Sequence, residues 1–169
     1  MISEGLMEKL SVTGLCDDSR RVKPGNLFFS VPTEGYEAFA RSAIAAGAVA
    51  VVGETIAPEG LTSKWIQVPD VKAARLEAAK IFYKDPFSKL ICHAITGTNG
   101  KTTSAFLMNA MLEAAGHKVA LLGTILNKIG DKSVPATLTT PGLLDLYAFA
   151  ARAVDAGCTD LVMEASSHS

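Results

Sequence analysis

The stretch Gly97-Thr98-Asn99-Gly100-Lys101-Thr102-Thr103 brings together the residue types that hold a polyphosphate. Glycines let a backbone close around phosphate oxygens, with successive N–H groups turned inward. Lys101 stands where a side chain reaches β- and γ-phosphates, and the Thr102 hydroxyl stands where a Mg²⁺ ligand is needed. The common phosphate loop places four residues between its glycines. Here Ile95 occupies the position five before Gly100, and the loop from Gly97 is shorter. A glycine-rich turn beside an ordinary helix is the plainer alternative. The apolar run before the loop, the helical pattern after it and the paired threonines favour a bound nucleotide.

Three further clusters carry polar chemistry. In "MEASSHS", Glu164 ends an apolar run and is followed by Ser166, Ser167 and His168. Beside the loop strand, Glu164 supplies a carboxylate for magnesium. At a strand–helix junction the same residues form a capping cluster, and the spacing fits both readings equally. His168 either contacts phosphate or substrate, or caps the next element. "TLTTPG" (137–142) offers Thr139 and Thr140 ahead of a helix whose first residue is Pro141, with Thr140 as the cap. That is a second anion site or a plain helix start. "DDSRRVKPGN" (17–26) sets Ser19 among charged side chains that hold a ligand or pair on a surface. His93 reads as a core histidine and His117 as exposed. No His/Cys/Asp grouping has zinc spacing, and no Gly-x-Ser-x-Gly elbow is present.

These groups need a scaffold, and the hydrophobic pattern supplies one. Strands are expected at 26–31, 48–52 and 64–68, with helices over 36–47 and after an Asp70 cap. The latter helix turns Val71, Ala74, Ala78 and Ile81 to its core. "YKDPFSKL" (83–90) breaks the periodicity and marks a junction, so domains are expected over 1–86 and 87–169. Beyond it, 90–96 reads as a central parallel strand, 101–115 as a helix and "KVALLG" as a strand. A long loop is expected over 127–140 and a last strand over 159–164. Strand–helix alternation implies an α/β fold: a small N-terminal α/β domain, then the first part of a P-loop domain with a mostly parallel sheet. Ligands gather at the carboxyl ends of such strands. The sequence stops there at Ser169, which reads as an interrupted domain.

The 169 residues carry a net charge of −1 and are 49% hydrophobic, enough for a substantial core. With no Lys/Arg run, nucleic acid is not the expected partner. The N-terminus lacks a secretory pattern and "AIAAGAVAVV" is too short to span a bilayer. Cys16, Cys92 and Cys158 form no CxxC pair and read as small core residues in a reducing, cytoplasmic setting.

Together "DSRRVKPGNLFFSV", "TGTNGKTT", "TTPG" and "MEASSH" resemble the Mur ligases, the ATP-dependent amide-bond ligases that build the peptide of bacterial peptidoglycan. The last two segments look most like the branch that adds the third residue. The resemblance implies an N-terminal domain for the UDP end of the precursor, a central ATPase domain and a C-terminal domain for the incoming amino acid. It implies that Gly97, Thr98, Asn99, Gly100, Lys101, Thr102 and Thr103 bind ATP, with Thr102 and Glu164 at Mg²⁺ and Lys101 and Glu164 catalytic. Thr139, Thr140 and Ser166 would contact the UDP-N-acetylmuramoyl-dipeptide, and Ser19 would lie by the uridine. A cytoplasmic monomer without membrane insertion is expected.

Two departures stand out. "PTEGYEAFA" is shorter than the family's corresponding loop, with Glu34-Gly35-Tyr36 as an approximate stand-in for its Asp-Gly-His-like segment. The later family elements, including a magnesium-ligand histidine, a carbamylated lysine and the amino-acid pocket, are not in this sequence. The implied chemistry is phosphorylation of the D-glutamate side-chain carboxylate by ATP, then attack by a diamino acid, either lysine or diaminopimelate. The residues at hand are expected to be insufficient for turnover. The rivals are a non-catalytic nucleotide- or UDP-substrate-binding fragment and another short-loop enzyme, such as a folylpolyglutamate synthetase relative or a small kinase.

Overall fold

A strand buried on both faces belongs in the middle of a parallel sheet. Asn26–Ser30 (β2) is such a strand, with Leu27, Phe28, Phe29 and Ser30 all buried. It pairs in parallel with Gly14–Cys16 (β1) and Ala50–Gly53 (β3), and β3 pairs in parallel with Trp65–Gln67 (β4). Glu4–Lys9 (α1), Tyr36–Ala45 (α2) and Val71–Phe82 (α3) accompany this sheet. The computed structural model describes residues 2–135 and 141–165. It divides into two units, Met1–Phe82 and Tyr83–Ser169, of which this is the first.

Small residues bring α2 close to its sheet: Ala40 and Ala43 pack with Cys16, Phe28, Val51 and Leu61. Asp70 starts α3 as its sequence suggests, its Oδ1 accepting the N–H groups of Lys72 and Ala73 at 2.8 and 2.9 Å. Val71, Ala74 and Ala78 are buried along that helix, with Ala79, while Ile81 is half-buried.

The second unit contains Ile91–Ile95 (β5), Lys101–Ala114 (α4), Val119–Leu122 (β6), Leu126–Ile129 (β7), Lys132–Pro135 (β8), Leu143–Asp155 (α5) and Asp160–Glu164 (β9). The strand order is β5-β9-β6-β7-β8. β9 enters between β5 and β6, parallel to both, whereas β7 and β8 continue the sheet antiparallel. Side chains alternate along β6. Val119 and Leu121 meet Ala105, Met108 and Leu112 of α4, while Ala120 and Leu122 meet Phe149, Ala150 and Ala153 of α5. Helices therefore cover opposite faces, and the chain is α/β.

Four expectations change. β5 lies at one edge of the described sheet, with Ile91 58% exposed, and β9 takes the central place. An apolar run signals a demand for cover, not which strand sits in the middle. The expected loop over 127–140 contains the β7–β8 hairpin, joined by Gly130-Asp131 with Gly130 at φ +55°. α5 begins at Leu143 behind Gly142, so Pro141 precedes the helix rather than opening it. Cys16 and Cys158 are core residues, but Cys92 on the edge strand is exposed.

Candidate functional site

β5 ends at Ile95, and the exposed loop turns at Gly97 (φ +148°) and Gly100 (φ +79°) before α4 begins. The Gly100 conformation is one that side-chain-bearing residues rarely adopt. α4 starts there, its first-turn N–H groups have no partner within the helix, and no acidic side chain occupies that turn to compete with an anion. The Lys101 Nζ folds back and donates to the Gly97 carbonyl at 2.7 Å. Thr102 is half-buried and Thr103 exposed.

The parallel register of β9 sets Glu164 directly beside Ile95, the last strand residue before the loop. Its carboxylate is fully buried. Oε2 accepts the Thr102 hydroxyl at 2.8 Å and the Thr124 hydroxyl at 3.1 Å, and Oε1 accepts the Thr124 N–H at 2.9 Å. Gly123 makes room for this: a Cβ there would lie 2.8 Å from Oε1. Thr102 and Glu164 are thus brought together, with Thr124 as a third member that sequence reasoning missed. Its signal was available, a Gly-Thr pair at the carboxyl end of a buried parallel strand. Thr139, Thr140, Ser166 and His168 lie outside the described residues.

Hydroxyl and carboxylate oxygens suit a hard cation such as Mg²⁺, which takes few protein ligands and keeps water and phosphate oxygens. Among the described residues no group of three or more His, Cys, Asp or Glu could hold a metal alone. The donor set fits an ion shared with a polyphosphate.

Ser19 opens a single 3-10 turn, Ser19–Arg21, in the first unit. Asp18 holds that turn in place. Its Oδ1 accepts Arg20 Nε at 2.9 Å and the Arg20 N–H at 3.0 Å, and its Oδ2 accepts Arg20 NH2 at 2.8 Å. The Arg20 side chain, then its backbone N–H, lowers the Asp18 carboxyl to about 2. Asp17 Oδ2 accepts Arg75 NH1 at 2.6 Å, tying the same segment to α3. Ser19 lines a cavity of about 490 Å³ with Asp17, Ser30, Thr33 and Phe39. Tyr36 of the stand-in segment instead packs edge-on against Trp65, with ring centroids 6.3 Å apart.

At the other end of β9, Asp160 is buried and accepts His93 Nε2 at 2.8 Å, His117 Nδ1 at 2.7 Å and Thr159 Oγ1 at 2.7 Å. His93 is therefore a satisfied, half-buried histidine. His117, 41% exposed in its side chain, is tied to the same carboxylate.

Residues 95–169 match the family model of the Mur ligase middle domain. The chain is 45% identical over 165 residues to UDP-N-acetylmuramoyl-L-alanyl-D-glutamate--2,6-diaminopimelate ligase of Solibacter usitatus, covering 96% of this chain and 33% of that protein. The same-named protein of Geobacter metallireducens is 44% identical over 164 residues, covering 94% of this chain and 32% of that one. A solved structure of a UDP-N-acetylmuramoyl-L-alanyl-D-glutamate--2,6-diaminopimelate ligase aligns with a TM-score of 0.75 at 30% identity, over 93% of this chain and 32% of that one. The chain is thus similar to Mur ligases over nearly its whole length, and over residues 95–169 to their middle domain. It spans about a third of the length of the curated relatives it matches. The segment that matches the middle domain begins at Ile95, and so takes in the loop, Thr124 and Glu164. Among the described residues no helix is long and apolar enough to cross a membrane.

Proposed function

We propose that this chain supplies the UDP-end and ATP-binding parts of a ligase that adds 2,6-diaminopimelate to UDP-N-acetylmuramoyl-L-alanyl-D-glutamate. The observation that carries the ATP assignment is the Thr102–Glu164–Thr124 cluster beside a glycine loop and a free helix N-terminus. The names of the similar proteins support diaminopimelate over lysine. On this reading residues 1–86 hold the UDP end near Ser19, and 87–169 hold ATP on Gly97 to Thr103, with Thr139, Thr140 and Ser166 toward the muramoyl substrate. The protein works as a cytoplasmic monomer.

The chemistry follows from leaving-group ability. An oxygen of the D-glutamate side-chain carboxylate attacks the γ-phosphorus of ATP and expels ADP. The amine then attacks the acyl carbon, phosphate leaves with the C–O bond electrons, and the nitrogen loses a proton. The first step requires a carboxylate and a polyphosphate, both anionic, to approach one another. Lys101 leaves the Gly97 carbonyl to meet the β- and γ-oxygens, while the N–H groups of the first turn of α4 hold the phosphate chain. Thr102 and Glu164 present oxygen ligands to Mg²⁺. Held there, Mg²⁺ would supply charge neutralisation to the polyphosphate. No side chain has to act as a nucleophile.

The test is ADP release by the protein that contains this chain. It should require both the UDP-dipeptide and diaminopimelate, and lysine should replace the latter poorly. ADP release indifferent to the UDP-dipeptide, or lysine serving equally well, would overturn the proposal.

A further inference from the structure

We infer that Asn127 is a positioning residue for the Glu164 carboxylate: its side-chain carbonyl seats the turn after β6, so that Thr124 meets Glu164 in a fixed orientation. The inference rests on the reading that Thr102 and Glu164 serve Mg²⁺ with ATP, and goes beyond it by naming what holds the carboxylate in place.

The last register pair of β6 and β7 is Leu122 with Asn127, and residues 123–126 turn between them. Turns are often closed by their own backbone hydrogen bonds. Among the described residues, Gly123, Thr124 and Ile125 make no backbone–backbone hydrogen bond. Two side chains anchor the turn instead. The Gly123 N–H donates to Asn127 Oδ1 at 3.3 Å. One residue on, the Thr124 N–H and hydroxyl donate to Glu164 Oε1 and Oε2 at 2.9 and 3.1 Å.

The fit leaves little slack. A Cβ on Gly123 would stand 2.8 Å from Glu164 Oε1, so the backbone there already lies against the carboxylate. A slide of the turn either lengthens both Thr124 bonds or presses on Glu164. Because Oε2 also accepts the Thr102 hydroxyl, the same slide re-aims the oxygen that Thr102 meets. Asn127 suits the task, since the ladder fixes its backbone between Leu122 and Val134. The contact uses its carbonyl as an acceptor, so a carboxylate in its place would serve. Mg²⁺ demands near-ideal oxygen geometry, and the groups that orient its ligands therefore tune its affinity.

The experiment uses the 169-residue chain and two measurements. Amide hydrogen exchange without metal reads the turn itself. The Thr124 N–H should be protected in the parent, about fivefold less protected in N127A, and protected again in N127D. N127S, with a shorter side chain, takes the place of N127A should the latter not fold. ATP titrations with and without Mg²⁺ read the consequence. N127A should lower the advantage that Mg²⁺ gives to ATP about threefold, N127D should recover most of it, and N127A should cost much less in a T124V background. Unchanged exchange at Thr124 in N127A would overturn the inference, as would an N127D chain that fails as N127A does. So would a full Mg²⁺ advantage in N127A where E164Q lowers it, and in these cases the ATP reading stands. If E164Q keeps the full advantage, or Mg²⁺ gives the parent none, the metal reading fails and takes this inference with it.

Discussion

The Thr102 hydroxyl donates to Glu164 Oε2 across 2.8 Å, although 62 positions separate the two residues in the chain. The start of α4 and the end of β9 are therefore tied together. The Glu164 carboxylate also receives the Thr124 hydroxyl and N–H. Three donors converge on two oxygens, and an amide in their place would aim its own N–H₂ at donors. E164Q should lower stability by about 1–3 kcal/mol in thermal or urea unfolding. It should also remove most of the advantage that Mg²⁺ gives to ATP binding, roughly tenfold. Titrations with and without Mg²⁺ separate this from a general loss of affinity. An unchanged ratio between the two would remove Glu164 from the metal site.

Thr124 gives a finer probe of the same cluster. T124V keeps the shape and the N–H but removes the hydroxyl, so Glu164 Oε2 loses one of its donors. A loss of about 1 kcal/mol in stability is expected, with a smaller Mg²⁺ advantage for ATP. T124S should restore both, because it returns the hydroxyl. A threonine with no part in orienting the carboxylate would show the stability loss without the metal effect.

Gly123 tests how tightly that carboxylate is held. A Cβ there would stand 2.8 Å from Glu164 Oε1 and 3.4 Å from the Leu126 carbonyl. A free surface side chain would swing away, but this one is buried and pinned. G123A should cost about 1–3 kcal/mol and disturb ATP binding in the presence of Mg²⁺. By contrast, G5A in α1 meets nothing within 4 Å and should gain up to about 0.5–1 kcal/mol. Chemical unfolding of both variants gives the comparison.

The glycine loop between β5 and α4 was legible because its parts are adjacent in the chain: apolar run, glycines, lysine, threonines and helix. Glu164 was only half legible. Its place beside Ile95 depends on β9 entering between β5 and β6, a non-local pairing that local spacing does not encode. Thr124 had a local signal in the Gly-Thr pair at a strand end, but its contact with Glu164 depends on the same pairing. The β7–β8 hairpin had a local signal in Gly130-Asp131, but polar residues on weakly alternating strands masked it. The edge position of β5 was unreadable in principle, since its composition matches a central strand. Ser19 was visible as a residue, whereas its cavity needed Phe39 and Ser30 from two other elements.

Asp160 should make the fold acid-sensitive in a defined window. Burial pushes its carboxyl up, but the hydrogen bonds from His93, His117 and Thr159 together outweigh that and hold it at about 2, against 3.8 for the free group. A depressed carboxyl contributes stability that is fully present above its unfolded value, near pH 4. That contribution fades as pH falls toward 2. D160N has no such titration, so its stability should change less between pH 4 and pH 2 than that of the parent. At pH 7 it should be less stable by about 2 kcal/mol, because two imidazoles and a hydroxyl lose a charged acceptor. Melting temperatures of both chains across pH 2–7 decide the matter. Parallel curves would mean that the Asp160 carboxylate is not held in its charged form by the two histidines, and that the acid sensitivity lies elsewhere.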